Sequence, residues 1–145
     1  MPEVHATRCL GLDIGDKRIG VALSDPHGVL ASPFTIIDRR GGMADIGAIT
    51  DIISQHQVGQ IVVGLPRSMD GSLGKQAEKV KAFVDKLCSH ISVPLEFRDE
   101  RLSTVSAKRL MRAGSAKKRR GKARDDAAAA AIILQGYLDE EHREL

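Results

Sequence analysis

The chain has 145 residues, 42% hydrophobic and 28% charged, which suits one globular domain over residues 1–145, able to bury roughly 70% of the surface its unfolded form exposes. Its net charge is only +3, but residues 98–124 hold eleven Lys/Arg against two acids, +9, and leave the remainder at −6; this asymmetry suits either a polyanionic partner at one edge or a solvated charge run. The longest clean apolar run, AAAAAIIL, is too short for a membrane span, MPEVHATR is not a leader pattern, the five histidines lack HxH or HExxH spacing, and Cys9 and Cys88 are isolated, so the expectation is a cytoplasmic protein with reduced core thiols, no membrane partner and no zinc site.

RCLGLDI reads as a first strand, Arg8–Ile14, whose period of two puts Leu10, Leu12 and Ile14 on one face and Cys9, Gly11 and Asp13 on the other. Gly15 and Asp16 turn the chain into a second strand, Arg18–Ser24, with Ile19, Val21 and Leu23 alternating against Gly20 and Ala22; the short link predicts an antiparallel hairpin. Residues 34–38 read as a third strand after Pro33. Gly41-Gly42 then breaks the chain before a helix over Met43–His56, where Ile46, Ile49, Ile52 and Ile53 follow the helical period.

QIVVGLP, residues 60–66, is a continuous apolar run of the kind found in buried central strands. A second amphipathic helix is expected over residues 74–89 and a fifth strand over 93–98, leading directly into DERLST. Ser103 or Thr104 can cap a short helix carrying Val105, Leu110 and Met111. Residues 114–124, GSAKKRRGKAR, lack apolar periodicity and read as a mobile loop, and a last helix runs from about Asp126 to Glu141. This order, three strands, helix, strand, helix, strand, then helices, predicts an α/β fold: a five-stranded mixed sheet with helices on both faces.

Three acids stand where propensity alone does not require them: Asp13 in the first strand, Glu100 just after the fifth, and Asp126 at the head of the last helix. Each has an ordinary alternative. Asp126 can cap its helix, Glu100 can pair with Arg98 or Arg101, and Asp13 can serve its turn. If strand ends and a helix start converge at one sheet edge, three carboxylates would repel unless protonated or bound to a cation, and hard oxygen donors beside phosphate select Mg²⁺ or Mn²⁺. The small faces of the hairpin (Gly11, Gly20, Ala22) and of DDAAAAAIIL let helix and sheet approach closely, which would bring Asp126 over Asp13.

The blocks LDIGDKRIGVALSD, IVVGLPRSMDGSLGKQA, FRDERLSTVSA and DDAAAAAIIL, spread over nearly the whole chain, resemble the YqgF/RuvX proteins, RNase H-like nucleases related to Holliday junction resolvases. The resemblance implies an RNase H-like fold, a catalytic and metal-binding set at Asp13, Glu100 and Asp126, and processing of the 5′ end of pre-16S rRNA; resolution of branched DNA is the older, fold-based proposal. One departure from the wider resolvase pattern is that QIVVGLP carries no carboxylate, so the second acid comes from Glu100.

The chemistry so implied is phosphodiester hydrolysis by two Mg²⁺ or Mn²⁺ ions roughly 4 Å apart, with Asp13 bridging. Lys17, Arg18 and Arg101 would hold substrate phosphates, while Lys117, Lys118, Arg119, Arg120, Lys122 and Arg124 would track the backbone. GLPRSMDGS, with Arg67, is either a further substrate loop or an ordinary strand-to-helix connection. Phe34, Phe83 and Phe97 fall in expected core elements and Tyr137 on the last helix, which favours recognition by backbone and shape over base stacking. Competing expectations are a dimeric resolvase of branched DNA and a non-catalytic RNA-binding or transcription-associated module; the protein would be a monomer or a homodimer. A sugar-kinase-like ATPase, whose phosphate turn DxG resembles, would need a second lobe that 145 residues do not provide.

Overall fold

The computed structural model describes residues 7–66, 74–99 and 122–143. Strands β1 (Arg8–Ile14), β2 (Arg18–Ser24) and β3 (Ala31–Asp38) precede helix α1 (Met43–His56). Strand β4 (Val58–Leu65), helix α2 (Lys75–Cys88), strand β5 (Leu95–Asp99) and helix α3 (Lys122–Arg143) follow. The five strands form one sheet in the order β3-β2-β1-β4-β5. β1, β2 and β3 are an antiparallel meander, while β4 lies parallel to β1 and β5 parallel to β4, each reached through a helix, the kind of crossover connection that parallel neighbours need. The expected mixed sheet is therefore the observed one.

The period-two pattern of the hairpin sorts the helices. Leu10, Leu12 and Ile14 of β1 join Ile19, Val21 and Leu23 of β2 in a core completed by Ile46 and Ile49 of α1 and Val80, Val84 and Leu87 of α2. The opposite face carries Ala22, Ala31 and Val62, and is covered by Ala130, Ala131, Ile133, Leu134 and Leu138 of α3. One face is thus packed mainly by branched chains, while the other brings alanines together with Val62, Ile133, Leu134 and Leu138. A Cβ placed on Gly11 would lie 2.8 Å from the Ala130 carbonyl oxygen and 2.8 Å from the Leu134 Cβ, so β1 and the backbone of α3 are in direct contact there.

Several elements differ from their sequence reading. β3 begins at Ala31, three residues before the expected start, and runs through Pro33. The ladder steps from Val21↔Thr35 to Ala22↔Pro33, leaving Phe34 as an extra residue; an edge strand with a bulge is where a residue lacking its N–H is tolerated. Phe34 is consequently 43% exposed, edge-on to His56 with ring centroids 4.9 Å apart, and Phe97 on the other edge strand is 37% exposed; of the three phenylalanines only Phe83 is in the core as expected. Cys9 is half-buried and Cys88, at the end of α2, is exposed, so the second thiol is not a core residue. β4 starts two residues early, and β5 spans Leu95–Asp99 instead of 93–98.

The last helix begins at Lys122, so Lys122 and Arg124 belong to a helical turn and not to a loop; Lys, Ala and Arg are good helix formers, and the chain before them contains Gly121. The expected short helix over residues 103–111 and the remainder of the basic segment lie outside the described residues.

Gly11→Ala should lower unfolding free energy by about 1–3 kcal/mol, because the helix backbone must move to admit the methyl group. Gly47→Ala inside α1, where nothing lies within 4 Å of the new atom, should instead raise it by up to about 1 kcal/mol. Urea denaturation of the two variants checks the contrast.

Candidate functional site

Asp13 sits near the C-terminal end of β1, half-buried, opposite Gly20 of β2. The register Leu12↔Val63 puts it level with Gly64 of β4, which in turn pairs with Arg98 of β5. The parallel strands β1, β4 and β5 therefore end together, and Asp99 closes β5 at that edge. Glu100 is the next residue along the chain and lies outside the described residues, as do Arg67, Arg101, Lys117, Lys118, Arg119 and Arg120.

The direction of α3 follows from its hydrogen bonds. Gln135 accepts from the Ala31 N–H at 2.8 Å and donates to the Val29 carbonyl at 2.9 Å. Ala31 faces Ser24, whose hydroxyl accepts from the Cys9 N–H at 2.8 Å. Gln135 is thus at the Cys9 end of β1 while Ala130 contacts Gly11, so α3 runs antiparallel to β1 and its N-terminal end points toward the Asp13 end. Asp126 lies one turn before Ala130, a helical rise of about 6 Å, and Asp13 lies two residues beyond Gly11, about 6.6 Å along the strand. The two backbones reach the same level of the sheet.

A second contact ties α3 to β5. Arg98 is nearly buried and ion-paired with Glu140, and a Cβ on Gly136 would fall 2.8 Å from its Nε and Nη2. Burial lowers the guanidinium's pKa, with the charges of Asp139 and Asp99 opposing the shift. The Arg98 side chain thus links the strand leading to Glu100 to the C-terminal half of the helix that carries Asp126.

The turn after Asp13 is held from the other side of the sheet by residues that the sequence reading did not single out. Gly15 donates to the Arg18 carbonyl at 2.9 Å, which leaves Asp16 and Lys17 at an exposed hairpin tip. Arg39 binds this turn twice, through its guanidinium to the Gly15 carbonyl (3.0 Å) and its backbone N–H to the Lys17 carbonyl (2.8 Å). The same guanidinium lies 4.8 Å over the Phe83 ring and 3.2 Å from the carboxylate of Asp45, which is 1% exposed.

Asp45 also accepts the N–H groups of Arg40 (2.9 Å) and Gly41 (3.1 Å). Gly41 and Gly42 carry φ of +91° and +59°, which glycine adopts at little cost, and that conformation turns the chain back onto the carboxylate. Only the acid in the first turn of α1 hinted at this arrangement. Burial by itself would raise the Asp45 pKa, but the bonds from Arg40, Arg39 and Gly41 outweigh it and hold the carboxyl below its ordinary value.

The donors on this edge fit a hard divalent cation better than a soft one. Asp13 offers carboxylate oxygens opposite Gly20. Cys9, the cysteine of the same strand, lies toward its far end, and burial raises its pKa, which disfavours the thiolate. Lys17 is exposed at the hairpin tip that follows Asp13, and Arg18 is half-buried at the start of β2.

The sequence model of the RuvX family, described as Holliday junction resolvase, matches residues 7–140. A protein of Moorella thermoacetica named "Putative pre-16S rRNA nuclease" is 48% identical over 132 residues, covering 91% of this chain and 94% of that protein. A protein of the same name from Halothermothrix orenii is 43% identical over 136 residues, covering 94% and 97%. Among solved structures, Thermus thermophilus RuvC in complex with a Holliday junction substrate superposes with a TM-score of 0.62 at 12% identity, covering 93% of this chain and 96% of that one. The fowlpox virus resolvase complexed with Holliday junction DNA gives 0.56 at 11% identity, covering 93% and 99%. At such identities the likeness is one of fold.

Asp45→Asn should destabilise the protein by about 3 kcal/mol at pH 7, since a buried, hydrogen-bonded charge pair loses one partner. Because the folded pKa of Asp45 is depressed, its extra stability is present above the ordinary carboxylate range near 4 and is lost as pH falls through the lower folded value. The gap between wild type and variant should therefore narrow below pH 4 in urea titrations at stepped pH.

Proposed function

The chain belongs to the RuvX family, and from that premise we propose that it is a divalent-metal-dependent nuclease hydrolysing phosphodiester bonds, with 5′-end processing of pre-16S rRNA as its activity. The observation that carries the reading is the glycine contact at Gly11: it supports an approach of α3 to β1 close enough for Asp126 to share a cation with Asp13. Glu100, the residue after β5, completes the proposed set. Residues 1–145 form one nuclease domain in this reading, acting in the cytoplasm.

In the proposed reaction Asp13, Glu100 and Asp126 hold Mg²⁺ or Mn²⁺, which when bound activates the attacking water and neutralises charge at the leaving 3′ oxygen. Asp13 is the central ligand in this reading, on the middle strand of the sheet, paired on both sides. Lys17 and Arg18 orient the scissile strand by its phosphates, and the Arg39 contacts keep the Gly15 turn in one conformation while they do so. Lys122 and Arg124 in the first turn of α3, with Arg67, Arg101, Lys117, Lys118, Arg119 and Arg120, supply backbone charge that fixes affinity without reading sequence. The fold shared with RuvC keeps branched DNA as a second substrate to be tested.

The decisive measurement is cleavage of precursor 16S rRNA and of a four-way DNA junction by wild type and Asp13→Asn, with Mg²⁺ or Mn²⁺. Asp13→Asn should lose more than about 100-fold in rate, a larger loss than that of outer-shell groups, with its unfolding midpoint little changed. Equal cleavage by both proteins overturns the metal-site reading, and cleavage of the junction alone selects DNA over rRNA. Raising salt from 50 to 200 mM should weaken RNA binding by several orders of magnitude if six or more phosphates are contacted.

A further inference from the structure

A cavity of about 290 Å³ opens between α1 and α2, on the face of the sheet away from α3. Ile46, Val80 and Phe83 form its apolar floor, and Gln76, Lys79 and Lys86 its rim. Ile14 and Asp16 also line it, so it adjoins the same turn that Asp13 precedes but lies across β1 from the Asp13 face. None of the carboxylate chemistry above uses it.

Its charge balance favours an anion. Arg39 borders the cavity, but Asp45 offsets its charge. Lys79 stands 3.6 Å from Asp16, both side chains more than 60% exposed, a pairing too weak to compete with a phosphate. Among the described residues Lys86 forms no ion pair. Gly42, the residue that precedes α1, also lines the opening.

The apolar floor and the fixed Arg39 guanidinium indicate what the anion is attached to. Arg39 is anchored by Asp45, by the Gly15 carbonyl and by the Phe83 ring, so the face of its plane turned away from Phe83 is a preformed surface of the kind on which bases stack. The volume lies at the lower limit for small-ligand sites, which suits one nucleotide and excludes a longer segment. We propose that the α1–α2 cavity binds a single phosphorylated nucleotide unit, its phosphate held by Lys79 and Lys86 and its ribose and base against Phe83 and Arg39. The unit can come from a free nucleoside monophosphate or from a strand whose scissile phosphate is at Asp13.

The test uses the full chain carrying Asp13→Asn, without metal, so a failure of the nuclease reading leaves it interpretable. Titration with AMP, UMP and inorganic phosphate, followed by amide NMR shifts, should perturb Gly42 and residues 76–86, with the monophosphates binding more tightly than phosphate. Lys79→Ala with Lys86→Ala should weaken binding about tenfold or more. Lys75→Ala with Lys81→Ala, equally exposed on α2 but outside the cavity, should leave it unchanged. Equal weakening in both doubles, shifts elsewhere only, or no binding by any of the probes overturns the proposal. A single-stranded oligonucleotide distinguishes the source: competition with AMP, lost in the Lys79/Lys86 double, assigns the site to the strand, and AMP binding without competition assigns it to the free nucleotide.

Discussion

Where β1 meets α3, the carbonyl oxygen of Ala130 and the Cβ of Leu134 occupy the space that any side chain on Gly11 would need. Helix and strand meet there backbone to side-chain root, and the rest of that face is built to match, with Ala22 and Ala31 from the sheet and Ala127, Ala130 and Ala131 from the helix all buried. Small residues contribute little hydrophobic stabilisation each, so the face depends on Leu134, Ile133 and Leu138 for apolar burial and on Gln135 and Arg98 for orientation. The arrangement gives up packing volume for proximity, and proximity is what a shared cation between a strand and a helix demands.

The other face solves a different problem. Its branched side chains supply the larger core, and at its rim one buried carboxylate organises three elements at once. Asp45 gathers the chain entering α1, the guanidinium of Arg39, and through it the Gly15 turn. A buried ion pair is a poor source of stability compared with an apolar replacement, but it specifies geometry, and the geometry specified here is that of the turn following Asp13. The two faces therefore act on the same strand end from opposite sides, one by close approach and the other by a hydrogen-bonded anchor.

Charge is distributed along the same division. The acids proposed to bind metal belong to the α3 side of the sheet edge, while the α1–α2 side presents lysines around an apolar hollow. A polyanion crossing this edge would meet the proposed metal-binding acids on one side and a cationic recess on the other, an arrangement suited to contact with backbone more than with base edges. The exposure of Phe34 and Phe97 does not alter that, since they lie on the two edge strands at opposite sides of the sheet.

Local periodicity and turn chemistry determined much of this molecule. The limits of β1, β2 and α1 and the division of the hairpin into a branched and a small face were legible in LGLDIGDKRIGVALSD and in the residues around Gly41-Gly42, because strand alternation and helix breaking are properties of a few neighbouring residues. Asp13 stood out for the same reason, as an acid in an apolar strand, and the family was legible because its motifs are contiguous. The extension of β3 through Pro33, the exposure of Phe34, Phe97 and Cys88, and the burial of Asp45 were not legible. They depend on which strands lie at the sheet edge and on what a side chain meets across more than its own element. The sequence by itself determined the elements and the acid; only the tertiary structure decided that α3 runs antiparallel to β1 in contact at Gly11, because that direction is set by Gln135 bonding to Val29 and Ala31 and by Ala130 meeting Gly11, residues far away in the chain.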